Sequence, residues 1–408
     1  MKNERKFPKI TVSKKAEYSL KNGHPWIYDT EIISGAPSSN GELCDVFSVK
    51  DSYLGTGFWS DKSKIRIRLL SSNANEKFER AFFERRISYA VDFRRAVMGE
   101  DFSSCRIVFG EADGLPGLTV DRFSNILVVQ VLSFGMDKIK NMIFDILFEK
   151  FDSIGEKISG IYEREDVAIR ELEGLHQFKG WYEKEGRTHP DSTNTVITEN
   201  GIKYHVDFEN GQKTGFFLDQ KYNRLAVSKL AKGKHVLDCF THTGSFAMNA
   251  VMGGAASVLA VDVSSSAVEM ARANARLNGI EGKMDFLCAD VFDLLPSLEK
   301  EKKNDYDFII LDPPAFTKNR KTAASAYRGY KEINYRAMKL LPRGGFLSTC
   351  SCSHFMPSGD FIKMLKEASR DASVELKQIE ARTQGPDHPI LLNVPETDYL
   401  KFYLFQVV

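Results

Sequence analysis

The sequence predicts an α/β protein: a C-terminal parallel sheet with helices on both faces, preceded by a β-rich segment and a mixed α/β segment. Three observations carry this. From about residue 191, apolar strand-like runs alternate with helical runs, as in Lys234–Leu237 followed by Ser245–Met252. That alternation builds βαβ units, whose parallel strands need both faces covered. Residues 1–70 instead read as short strands punctuated by Gly23, Pro25, Gly35, Pro37 and Gly41. At 408 residues the chain suffices for two or three domains, predicted at 1–72, 73–190 and 191–408.

In chain order, Lys9–Val12 and Val46–Val49 read as strands. Lys64–Leu70 alternates basic and apolar residues, the pattern of a half-buried strand with one cationic face. Twelve Lys and Arg against eight Asp and Glu leave residues 1–70 at +4. That face reads either as a solvated surface or as an RNA contact. Glu76–Met98 predicts a helix, with Phe78, Phe82, Ile87 and Phe93 set among charges. Arg106–Phe109 and Gly117–Val120 read as strands around a turn at Asp113-Gly114. Asn125–Leu132 is strand-like, and Asp137–Phe151 reads as an amphipathic helix. In the C-terminal part, Val258–Val261, Met284–Leu287, Tyr306–Leu311 and Gly345–Thr349 are the further strands. Ser265–Asn278 and Tyr327–Leu340 are the further helices.

Composition narrows the class. The 56 Lys and Arg nearly cancel the 55 Asp and Glu, giving +1, with 42% hydrophobic and 27% charged residues. This excludes a disordered chain, a collagen-like repeat and a strongly basic nucleic-acid coat. The cysteines at 44, 105, 239, 288, 350 and 352 form no CxxC pair and show no zinc spacing, so no metal is expected. Free thiols point to a reducing compartment. The N-terminal MKNERKFPKI carries no apolar signal core, and no run approaches 18 apolar residues. A cytoplasmic protein without a membrane partner is expected.

Five constellations carry chemistry. In Val236–Phe246 an apolar strand ends in Asp238, passes Phe240 and Thr243 to Gly244, and opens a helix. Gly244 would let the backbone approach a ligand, and the helix start offers free N–H groups. Neither GxGxxG nor GK[ST] is present, so a nucleoside bearing a carboxylate and an amino group suits the turn better than a pyrophosphate. Asp262 ends the next strand, where a carboxylate can accept both ribose hydroxyls. Helix capping is the competing role there, with Ser264 and Ser265 as rivals for it. Asp290 falls where an adenine amino group could be held, though a solvent-facing acid reads as well.

Asp312-Pro313-Pro314-Ala315-Phe316 follows an apolar strand. The prolines stop the strand rigidly, the acid can bond a planar base edge, and Phe316 offers a stacking face. Cys350 and Cys352, set among Ser and His354, lie at the next strand end and read as a nucleophile site. Asn210–Gln220, followed by Arg224, reads as a loop closing over a cofactor or as an ordinary hairpin.

Together these motifs resemble class I S-adenosylmethionine-dependent methyltransferases. More closely, they resemble the PUA-containing bacterial RNA cytosine-5 methyltransferases that modify 23S rRNA. The resemblance also rests on Gly23-His-Pro-Trp-Ile27, on Glu165-Asp-Val167 with Glu173-Gly-Leu175, and on Lys213–Gln220. Ser351-Cys-Ser353 and Asp387-His-Pro389 complete it. It implies a Rossmann-like methyltransferase domain behind a PUA-like β-barrel and a middle α/β domain. It implies S-adenosyl-L-methionine as cofactor, with Asp238, Phe240, Thr243, Gly244, Asp262, Asp290 and Phe217 around it. Cys352 matches the nucleophile and Asp312 the acid of the catalytic Asp-Pro-Pro. Pro313, Phe316 and Lys213 fall on the substrate side. Cys350 stands where relatives commonly carry an apolar or aromatic residue, so it is expected to be a neighbour. The partner implied is structured RNA, 23S rRNA first; a homodimer stays open. Methylation of a guanine nitrogen, a small-molecule methyltransferase and a non-catalytic RNA-binding protein remain as rivals.

Overall fold

The computed structural model describes residues 6–301, 305–317 and 322–408; the first five residues of the N-terminal stretch fall outside it. The chain divides into two compact units. One comprises Met1–Ile197, Val206–Leu218 and Pro386–Thr397, the other Thr198–His205, Asp219–Gly385 and Asp398–Val408.

The first unit opens with β1 (Lys9–Val12), α1 (Lys14–Lys21), β2 (Trp26–Tyr28), β3 (Ile32–Ser34), β4 (Leu43–Phe47), β5 (Tyr53–Trp59) and β6 (Ile65–Ser71). The strands form one sheet in the order β2-β6-β5-β4-β1-β3, antiparallel except for the β1/β4 pair. Ile10, Val12, Ile27, Val46 and Ile67 fill its core. The expected cationic face of β6 is only partly available. Arg68 is buried and donates to the equally buried Glu173 at 2.7 Å, so its charge is spent internally.

A second sheet follows. Its elements are α2 (Arg80–Met98), β7 (Ser104–Phe109), β8 (Leu118–Phe123), β9 (Ile126–Val131), α3 (Phe134–Lys138), α4 (Lys140–Ser153), β10 (Gly160–Arg164), α5 (Ile169–Leu172) and β11 (Lys179–Trp181). The strand order is β11-β10-β9-β8-β7. Helix α2 starts four residues later than the apolar pattern predicts, behind Glu79, whose side chain provides no cap. The single helix expected over 137–151 is two, because Ile139 at φ −112° and ψ 7° interrupts the helical backbone. Next, β12 (Asn194–Glu199) and β13 (Ile202–Asp207) pair as a two-stranded ribbon. Asn200 and Gly201 connect them with positive φ at both positions, the backbone a tight hairpin needs.

The second unit contains α6 (Lys221–Ser228), β14 (His235–Cys239), α7 (Ser245–Met252), β15 (Ser257–Asp262), α8 (Ser265–Leu277), β16 (Met284–Cys288), α9 (Val291–Lys300), β17 (Phe308–Leu311), α10 (Ala323–Leu340), β18 (Phe346–Ser351), α11 (Ser358–Asp371), β19 (Leu376–Arg382) and β20 (Lys401–Val407). Its seven strands run in the order β16-β15-β14-β17-β18-β20-β19. Strands β14 to β18 are parallel, as the alternation predicts. Strand β20 is antiparallel to both of its neighbours. Leu237, Val261, Ile309, Leu311 and Leu347 from the strands pack with Tyr330, Ile333, Phe361 and Met364 from the helices. The fold is thus a Rossmann-like sheet, with a strand-rich N-terminal part in the first unit.

Candidate active site

The chain leaves β14 toward β15 and β16 on one side, then returns to β17 and β18 on the other. This reversal opens a crevice at the carboxyl ends of β14 and β17, the usual ligand position of open α/β sheets. Asp238 lies near the end of β14, and Asp312 directly follows β17.

The turn after β14 alternates left-handed residues: Phe240 at φ 64°, His242 at φ 50° and Gly244 at φ 80°. Such backbone costs roughly 1 kcal/mol for each non-glycine residue, so the turn must be held from outside. Thr241 N–H donates to Val261 O at 2.8 Å, and His242 N–H to Asp262 Oδ2 at 2.9 Å. Asp238 Oδ2 accepts from Thr241 Oγ1 at 2.6 Å and from Ala247 N at 3.0 Å. Burial pushes the Asp238 carboxyl up to about 7, against the pull of those two bonds. Asp238 Oδ1 and Thr243 Oγ1 are both buried with no partner among the described residues. Buried polar atoms are normally satisfied, so these two fit a bound polar group. An acceptor and a hydroxyl on one turn suit an amino group and a carboxylate on the same ligand.

Gly244 is also constrained by packing. A Cβ there would meet Ala271 Cβ of α8 at 3.0 Å, so the missing side chain makes room for a helix. Gly244→Ala is expected to destabilise the protein by about 1–3 kcal/mol, from left-handed strain plus the tight contact. Urea unfolding measures this, and an unchanged midpoint would contradict it.

Asp262 does not cap α8; Ser264 does, its hydroxyl accepting from Ala267 N. Each Asp262 oxygen accepts one backbone N–H, from His242 and from Ser264, both at 2.9 Å. The carboxylate is therefore aimed, with a lone pair left on each oxygen for a diol. Asp290 is exposed and caps α9, Oδ1 accepting from Phe292 N at 2.8 Å.

Asp312 is held by a relay from α6: Asn223 Nδ2 donates to Gln220 Oε1 at 2.6 Å, and Gln220 Nε2 to Asp312 Oδ1 at 2.9 Å. Its carboxyl is pushed up to about 6. Burial is the main cause and the Asp219 charge adds to it, while Arg224, Cys350 and Gln220 pull the other way. Asp219 is itself bonded by Tyr399 Oη at 2.6 Å, and Arg224 is paired with buried Glu199.

Strand β18 runs to Ser351, two residues beyond the predicted end at Thr349. Cys350 therefore lies inside the strand and is fully buried. Burial and the Asp312 charge hold this thiol well above its ordinary pKa, so the neutral form is favoured. Cys352 comes just after the strand and is half-buried. Ser351 Oγ donates to Tyr330 Oη, and Ser353 Oγ to Thr317 O, fixing the backbone on both sides of it.

Pro313 is buried. Phe316 is half-buried, its ring centroid 4.6 Å from Tyr330, 5.6 Å from Phe292 and 6.4 Å from Phe240. Lys213 and Phe217 belong to the first unit, where the Lys213 ammonium sits 4.3 Å above the Phe217 ring. The segment around them is no hairpin; it ends in a short 3-10 turn, Leu218–Gln220, that enters α6. The residue reading missed Gln220 as the Asp312 partner, the Tyr330 support and Lys401. A lone lysine inside the apolar run Lys401–Val407 was the available signal for the last.

The sequence matches the S-adenosylmethionine-dependent methyltransferase family over residues 181–406 and a PUA-like domain over 10–72. Ribosomal RNA large subunit methyltransferase I from Shewanella amazonensis is 42% identical over 389 residues, covering 94% of this chain and 96% of the relative. The protein of that name from Klebsiella pneumoniae is 38% identical over 405 residues, covering 98% and 99%. A Streptococcus mutans protein described as a SAM-dependent methyltransferase shares the fold with TM-score 0.81 at 21% identity, covering 98% of this chain and 99% of that one. A methyltransferase complexed with SAH superposes with TM-score 0.83 at 21% identity, with the same coverage. The chain belongs to the S-adenosylmethionine-dependent methyltransferases that carry an N-terminal PUA-like domain.

Proposed function

We propose that this enzyme methylates C5 of a cytosine in large-subunit (23S) rRNA through a covalent bond between Cys352 and C6. The observation that carries this reading is the placement of Cys352 and Asp312 at the carboxyl ends of adjacent strands, β18 and β17, with the spare polar atoms of the β14 turn alongside. The rRNA substrate is taken from the names of relatives that span nearly the whole chain. The PUA-like region supports an RNA partner.

Asp238 and Thr243 would bind the amino-acid end of S-adenosylmethionine and Asp262 its ribose. Bound there, the cofactor supplies an electrophilic methyl group. Cytosine C5 is too weak a nucleophile to take that group unaided. The Cys352 thiolate adds to C6, and the C5–C6 π pair moves toward C5, making it nucleophilic. Asp312 bonds the N3/N4 edge and gives a proton to N3 as charge builds in the ring. After methylation a base removes the C5 proton, the C5–H pair re-forms the C5–C6 double bond as Cys352 leaves as thiolate, and N3 returns its proton to Asp312. The base must leave the helical stack to reach this site, and Phe316 offers it a ring.

The test is methyl transfer to 23S rRNA prepared from cells lacking the protein, followed by nucleoside analysis. The expected product is 5-methylcytidine at one position. Methyl groups on a guanine nitrogen would refute the cytosine assignment, and no incorporation would refute the rRNA substrate.

A further inference from the structure

Lys401 lies beside the proposed nucleophile, and the reaction above leaves it unused. It opens β20, where it pairs across the ladder with Ser351, the residue just before Cys352. The side chain is buried, with 6% of its surface exposed. Among the described residues no carboxylate lies within ion-pairing distance of it. Instead its Nζ donates to Ser353 O at 2.6 Å and to Tyr399 O at 2.7 Å. Those two carbonyls bracket the group in a particular way. A neutral amine has two N–H bonds and one lone pair; an ammonium has three N–H bonds. Both carbonyls are satisfied in either state, and only the third position changes. The titratable groups facing it are Cys352 after β18 and Asp398 on the approach to β20.

We propose that Lys401 is the proton partner of Cys352, taking its thiol proton and holding the sulfur as a thiolate beside an ammonium. The step balances: the S–H bond breaks, its electron pair stays on sulfur, and the proton occupies the lone pair of Nζ. When Cys352 later leaves C6, the thiolate returns to the same ammonium. Burial brings the Lys401 ammonium down to about 8, while Cys352 pulls it back up. That lies close to the ordinary thiol value of about 8.5, so the proton moves between groups of similar affinity. The inference rests on Cys352 being the nucleophile.

The test reads ionisation of the sulfur without turnover. The full-length protein is alkylated with iodoacetamide over a pH series, and the Cys352 peptide is quantified by mass spectrometry. The wild-type midpoint is expected below the ordinary value of about 8.5. Lys401→Gln should raise it by about one unit, slowing alkylation at neutral pH by about tenfold. Lys401→Arg keeps a cation in place and should hold the midpoint down. A wild-type midpoint at or above the ordinary value overturns the proposal, even if Lys401→Gln does not fold. So does a loss of thermal stability in both variants with no movement of the Cys352 midpoint, which marks a purely structural lysine. Failure of the nucleophile reading looks different: Cys352→Ala would then still methylate cytosine, whatever the alkylation profile.

Discussion

Cys352→Ala is expected to reduce methyl transfer by at least ~10³-fold, because the proposed mechanism needs its sulfur to form the covalent bond that makes C5 reactive. Cofactor affinity should stay within about twofold, since the atoms proposed to bind the cofactor lie on the β14 turn and the loss would act on chemistry rather than binding. Cys350→Ala is the paired control. Cys350 is buried in β18, where burial and the Asp312 charge disfavour its thiolate. Its removal takes a buried neighbour from Asp312 and should cost less than about tenfold. Initial rates on rRNA, with cofactor binding by calorimetry, separate the two variants. A dead Cys350→Ala beside an active Cys352→Ala would exchange the roles of the two thiols.

Asp312→Asn is expected to cost about 10²–10³-fold, within the range for a positioned proton donor. The amide keeps the shape and can still accept from Gln220, but it carries no acidic proton. The raised carboxyl pKa makes this donor competent. At a value of about 6, roughly a tenth of the groups are protonated at pH 7. At the ordinary aspartate value of about 3.9 the fraction would fall to about a thousandth. The sign follows: the protonated form is the active one, so this group alone makes kcat/KM fall as pH rises through about 6. Asp312→Asn should lose that limb, and a profile identical to wild type would rule out the donor role. Stability has the same direction. The folded pKa exceeds the unfolded one, so the contribution is fully present below about pH 4 and is lost as pH rises through about 6. In Asp312→Asn this part of the pH dependence of thermal melting should vanish.

The parallel half of the fold was legible because its strands are continuous apolar runs. Ser245–Met252 is helical over the range its pattern predicts, and the strand expected over Tyr306–Leu311 forms over Phe308–Leu311, fully buried. Helix α9 was hidden by Pro296 in its interior, and β19 by its charged, half-exposed edge pattern. The placement of candidate residues was legible where one motif ends one strand, as at Asp238 and Asp312. It was not legible where distant segments meet. Gln220 reaches Asp312 across 92 residues, and Lys401 reaches the Ser353 carbonyl across 48. No local pattern encodes such contacts. Gly244 shows a related limit. Its motif suggests close approach of a ligand, but not the packing contact with Ala271, 27 positions along the chain.

The near-neutral total charge also gains meaning. Arg68 is consumed by Glu173, so the N-terminal sheet presents less positive charge than its composition suggests.

The covalent step is tested most directly by incubating the enzyme and cofactor with rRNA containing 5-fluorocytidine. Fluorine cannot leave C5 as a proton, so the adduct should persist after methyl transfer. The expected result is a stable protein–RNA band whose cross-linked peptide carries the nucleotide on Cys352. Methylation of ordinary rRNA with no trapped adduct, or an adduct on any other cysteine, would contradict the mechanism.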